Sequence, residues 1–181
     1  MITDYASLQE ATAKWLERDG SSEFTDQVPL MVSLAEAWLR RQLVGYQREV
    51  TTTLSANSSG TVALPSDFIA IRGVAFGNVP YSYNISGSTL TIANGANRAF
   101  AVTYYERLPP LNDANPTNWL IETAPDVYFY ACLAQGCSFE QDWQNGAIYE
   151  GKAQQALAEL NLQNTVAQYG RTGLVLPRVA P

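Results

Sequence analysis

Apolar positions recur at helical spacing at both ends of the chain and at every second position in its middle. Within residues 4–18, Leu8, Thr12, Trp15 and Leu16 fall on one helical face. Asp19-Gly20-Ser21-Ser22 stops that helix. Asp26 is expected to cap a second helix with Pro29 in its first turn. Val28, Val32, Ala35, Leu39 and Leu43 line one side of it, and Gly45 ends it. From Glu49 to Arg107 the period drops to two, with turn chemistry at Asn57–Gly60, Pro65–Asp67, Gly77-Asn78 and Asn94-Gly95, and a bulge is expected at Gly73. The connections are too short for parallel crossovers, so this stretch predicts an antiparallel β-meander of five or six strands.

Helical patterning returns after a polar turn at Asn112–Asn118. Thr123 is the expected N-cap of a helix over 124–139, with Asp126 as its capping-box partner and Pro125 in the first turn. Val127–Ala134 carries no polar group beyond two Tyr hydroxyls, which marks a helix buried on all sides. A last helix is expected over 143–166, with Tyr149, Ala153, Ala156, Leu157 and Leu160 as its seam. Gly170 ends any continuation, and the following segment RTGLVLPRVAP sets β-formers between Gly and Pro, so an extended arm is expected. The resulting α+β order is helix–helix–sheet–helix–helix. It predicts a four-helix bundle from residues 1–48 and 111–169, an inserted meander lobe at 49–110, and a C-terminal arm at 170–181.

Composition changes this picture little. The chain is 46% hydrophobic, which is globular, and its net charge of −6 disfavours a dedicated nucleic-acid binder. Residues 113–159 hold Asp113, Glu122, Asp126, Glu140, Asp142, Glu150 and Glu159 against Lys152 alone, whereas 160–181 carry Arg171 and Arg178 and no acid. Cys132 and Cys137 lie five apart on one helix, too poorly oriented for a disulfide, and are expected to be reduced core thiols. No signal peptide and no membrane span are expected from the N-terminal pattern and the short apolar runs. The sequons at Asn57 and Asn84 carry no meaning without secretion.

Catalytic chemistry finds little support. There is no histidine, which removes Ser–His–Asp and Cys–His nucleophiles and the commonest zinc ligand. Gly151-Lys152 lacks the spacing of a phosphate loop. Asp126 and Asp142 are the nearest carboxylate pair, but each is better explained as a helix cap or loop residue, and Glu36 as solvated or ion-paired. No cofactor, metal or enzymatic activity is expected.

Three runs carry a family resemblance: Asp113-Ala-Asn-Pro-Thr-Asn-Trp-Leu120, Ala124-Pro-Asp-Val-Tyr-Phe-Tyr-Ala131, and the opening Tyr5…Leu8…Trp15-Leu16…Arg18-Asp19. Together with the order of elements, they resemble the head–tail connector adaptors of tailed bacteriophages, the tail tubular protein A-like family. The resemblance implies a structural virion protein that forms a twelve-subunit ring beneath the portal, extends the DNA channel and carries nozzle or other tail proteins. Its partners would be the portal, tail proteins and further copies of itself, with genomic DNA only passing through. It would reside at the head–tail junction of the virion, after assembly in the host cytoplasm.

Candidate contact residues follow. Leu174, Val175, Leu176 and Pro177, flanked by Arg171 and Arg178, would either fold back on their own bundle or dock on the portal or a neighbouring subunit by strand addition or groove filling. Arg40, Arg41 and Arg48 are explained by the helix end and solvation, and are also candidates for contact with a neighbouring acidic subunit or transient contact with DNA phosphate. Tyr81 and Tyr83 are candidates for a subunit or tail interface. With Tyr104 and Tyr105 they also suggest an alternative, a carbohydrate- or protein-binding module, set against ordinary cross-strand packing. Trp15, Trp38, Trp119 and Trp143 are expected to pack between helices.

Overall fold

A computed structural model describes residues 1–43 and 49–169, with side chains through 166. The protein is α+β, with helices at both ends and two antiparallel sheets between them. Its described residues fall into two compact units, one from 1–43 with 108–169 and one from 49–107. The expected arm at 170–181 and the stop at Gly45 lie outside the described residues.

The helical unit begins with α1 (Tyr5–Trp15), closed at its start by a capping box between Asp4 and Ser7. Leu8 and Thr12 are buried, and the Thr12 hydroxyl returns its hydrogen bond to the Leu8 carbonyl 2.8 Å away. A short helix, α2 (Ser22–Thr25), follows where only a stop was expected, because Ser21 caps it and Phe24 anchors it in the core. Asp26 ends α2 and does not cap α3 (Val28–Gln42), whose N-cap is Gln27 and whose start is set by Pro29. The inward face of α3 matches the apolar spacing, with Val28, Val32, Ala35, Leu39 and Leu43 all buried.

The second sequence run differs at its entry. Asn118, not Thr123, is the capping residue: its Oδ1 accepts N–H groups of Leu120 and Ile121 and starts α4 (Trp119–Thr123) five residues early. Thr123 is thereby helical, and α5 (Pro125–Phe139) begins at Pro125 without a side-chain cap. Helix α5 is buried along most of its surface and packs against α1, α3, α4 and α6 (Trp143–Tyr169). Gly136 lets α1 approach closely, since a Cβ there would lie 2.5 Å from Leu16 Cδ1. The seam of α6 buries Ala153, Leu157 and Leu160, with Tyr149 and Ala156 half-buried.

A sequential meander does not form in the second unit. Among the described residues seven strands are present: β1 (Glu49–Ser55), β2 (Thr61–Ala63), β3 (Phe68–Phe76), β4 (Val79–Pro80), β5 (Tyr83–Ser86), β6 (Thr89–Ile92) and β7 (Ala99–Glu106). They pair as β1-β7-β3-β4 and β2-β6-β5. The last strand lies between β1 and β3, with its inward residues Phe100, Val102 and Tyr104 buried. With Val62, Val74, Leu90 and Ile92 they form one core fed by both sheets. Register shifts between Ile71 and Gly73 mark the bulge expected there.

Candidate assembly surface

Backbone amides in the span from Leu108 to Asn118 would be left orphaned in a helical core unless side chains met them. Glu36 of α3 does this. Its Oε1 accepts the Leu111 N–H at 2.7 Å and the Tyr128 hydroxyl at 3.2 Å, while Oε2 accepts Arg40 Nη2 at 3.0 Å. Asn118 Nδ2 donates to the Pro109 carbonyl and to the Tyr128 hydroxyl, each at 2.8 Å. Arg40 Nε donates to the Leu108 carbonyl at 3.3 Å. The turn itself is closed by Asn112, whose Oδ1 accepts from Ala114 and Asn115, and Pro116 accepts the Tyr5 N–H at 2.8 Å. Glu36 is only 3% exposed. Its burial raises its pKa, against the pull of the Leu111 N–H, Arg40 and the Tyr128 hydroxyl. Burial, and then the Glu36 charge, also push the Tyr128 phenol far above its ordinary range.

Glu36 and Arg40 both belong to this polar cluster. Glu36 is ion-paired, as expected, but buried and not solvated. Arg40 is half-buried and turned onto its own chain, whereas Arg41, one residue on, is exposed. The tyrosines separate in the same way. Tyr104 is buried with its hydroxyl 3.3 Å from Asp67, and Tyr81 packs edge-on to Phe100 and accepts a hydrogen bond from Arg98. Tyr83 is exposed on β5, near the apolar Ile85 of the same strand. Tyr81 and Tyr105 are half-buried, so of these four tyrosines Tyr83 is the exposed one and Tyr104 the buried one. The six arm residues from Arg171 to Arg178 lie outside the described residues.

The helical unit shows apolar surface that spacing alone did not single out. Leu30 and Leu34 of α3 and Trp143, Ile148, Leu162 and Val166 of α6 are all exposed. Trp143 is not packed between helices as expected: it opens α6 and is 67% exposed, because the chain has only just left the Gln141 turn, where φ is 61°. Trp15 is also exposed, yet it bridges helices, edge-on to Phe129 and donating to the Tyr149 hydroxyl at 3.0 Å. Trp38 is partly buried beside an open groove of about 310 Å³ between α3, α5 and α6. A spacing of four between Leu30 and Leu34, off the α3 seam, was the available signal for the exposed α3 pair.

Acids crowd the same unit. Asp113, Glu122, Asp126, Glu150 and Glu159 are exposed, and Glu140 and Asp142 are half-buried, Glu140 against Arg18. Both cysteines are buried and free, and burial raises the pKa of each thiol. Among the described residues no group of three or more Cys, Asp or Glu is placed to hold a metal, and no helix is long and apolar enough to cross a membrane. A search of curated proteins returned no match. A profile of the family described as SU10 adaptor protein matches residues 3–94 and 75–176.

Proposed function

Because the chain belongs to the SU10 adaptor protein family, structural adaptors of bacteriophage virions, we propose that it forms the ring that joins the portal to the tail or nozzle. The observation that carries this reading is the span of the family match, which reaches from before α1 into the residues after α6 and so includes both units. In this reading twelve copies assemble on the portal, and α1, α3, α5 and α6 serve as the four-helix bundle from which the ring is built. The β unit makes lateral or tail-side contacts through Tyr83 and its apolar neighbours, and Arg41 contacts an acidic neighbour. The 170–181 arm is an assembly arm. The role is structural, with no catalysis and no cofactor.

The exposed acids of 113–159 are supported as a channel wall by their sign, because like charge keeps a DNA backbone from adhering as it passes. Electron microscopy of purified portal mixed with the chain tests the ring directly. A ring of added density on the portal's tail-side face is expected. Portal particles unchanged at saturating chain would contradict the proposal.

A further inference from the structure

An open sheet leaves a row of unpaired backbone N–H and C=O groups along each edge strand, and natural sheets shorten such edges, charge them or break them with proline. In the β unit, β1 and β4 flank one sheet and β2 and β5 the other. Edge β4 is two residues long and ends in Pro80, and β2 has three residues. Edge β1 has none of these protections. It runs seven residues, pairs with β7 without a register shift, and carries no proline and no charge after Glu49. Its inward residues are also incompletely covered. Val50, Thr52 and Leu54 are half-buried, whereas Tyr104, Val102 and Phe100, opposite them on β7, are buried. Edge β5 repeats the pattern. Tyr83 and Ile85 stand opposite buried Ile92 and Leu90, yet they are 38% and 39% exposed, and Tyr83–Ser86 carries no charge.

We infer that β1 of one copy adds to β5 of a second copy, joining the two open edges into one continuous sheet. This rests on the adaptor reading and names the lateral contact of the ring. Strand addition pairs main-chain groups and leaves specificity to alternate side chains. Those side chains match. Val50 and Leu54 on one edge, and Tyr83 and Ile85 on the other, lie on inward faces at a period of two, and aromatic with β-branched residues is a favourable cross-strand pairing. No charge opposes another between residues 50–55 and 83–86. Symmetry then selects the pair. Two β1 edges meeting across a twofold close a dimer, whereas two different patches meeting head to tail close a ring. The β unit carries two different open edges, on two different sheets, and among the described residues each is paired on one side only.

Crosslinking on the assembled ring tests this. Two full-length populations carry Thr53→Cys on β1 and Asn84→Cys on β5, both exposed positions that alternate with the inward residues. They are mixed in equal amounts with purified portal, treated with a short bismaleimide, and the products weighed intact. The native Cys132 and Cys137 stay in place because both are buried. A crosslinked pair is expected at ten times or more the yield of a control in which Glu10→Cys, exposed on α1, replaces Asn84→Cys. Adding Ile85→Lys to the β5 population, a charge of the kind that guards natural edges, should reduce the yield to that control. Portal particles that gain the ring while the yield stays at the control overturn the inference and leave the adaptor reading standing. Crosslinked pairs from the Thr53→Cys population alone, at the yield of the mixture, also overturn it, because they place β1 against β1. Portal that gains no chain overturns the adaptor reading and the inference with it.

Discussion

Glu36 is the residue on which the helical unit turns, because it accepts from an amide, a phenol and a guanidinium in three parts of the unit. Glu36→Ala leaves all three without that partner, and a loss of about 3 kcal/mol or more in urea unfolding is expected. The pH dependence has a definite sign. Burial raises the folded pKa of Glu36 above its ordinary 4.5, so its contribution is fully present below that value and is lost as pH rises through the folded one. Asp4, Glu10 and Asp142 have lowered pKa values and act in the opposite sense, losing their contributions as pH falls through those depressed values. Unfolding titrations above pH 4.5 should therefore show wild-type stability falling with pH in a component that Glu36→Gln lacks; equal slopes in both would contradict this. Little of the cluster was visible in sequence. A Glu inside an amphipathic helix reads as solvated, and nothing in its spacing shows that a loop some seventy-five positions later brings an amide to it.

At the scale of elements, the loop from Leu108 to Asn118 is held by its asparagines. Asn118→Ala removes the α4 cap and the partners of the Pro109 carbonyl, and should cost about 2 kcal/mol, read as a lower denaturation midpoint with an unchanged slope. Gly60 plays a comparable part in the β unit. Its φ is 74°, and a Cβ would meet the Ile92 carbonyl oxygen at 2.9 Å. Gly60→Ala should destabilise that unit by ~1–2 kcal/mol or more, seen as earlier amide exchange in β2 and β6. Periodicity read these elements well where burial is one-sided: the α3 face, the α5 span and the bulge at Gly73 all match. It failed where a polar side chain competes for the backbone, as Ser21 and Asn118 do in starting two short helices. It also could not order the strands, because alternation marks which face is buried and not which strand is neighbour. The insertion of β7 between β1 and β3 depends on long-range packing of Phe100, Val102 and Tyr104.

At the scale of the whole molecule, the helical unit pairs exposed Leu34, Trp143 and Ile148 with an excess of exposed acids, which under the proposed ring function would hold protein neighbours and let DNA pass. Replacing Asp113, Glu122, Asp126 and Glu159 by their amides should leave ring assembly intact and raise DNA retention by assembled particles, most strongly at low salt. Lost assembly with unchanged retention would move these acids from the channel to a subunit contact. That the chain is a phage adaptor was legible in sequence from the 113–131 stretch and the opening motif, though the match is to the SU10 adaptor family and not to the tail tubular protein A-like one; the residues of 113–131 build the loop, the α4 cap and the buried face of α5. The central claim is that this chain is a portal-bound ring subunit, and native mass spectrometry of the portal, alone and with the chain, tests it most directly. The account predicts a portal complex heavier by twelve copies of the 181-residue chain, with the increment lost when the chain stops at Gly170. A portal mass that does not change, with the chain remaining a free monomer, would contradict it.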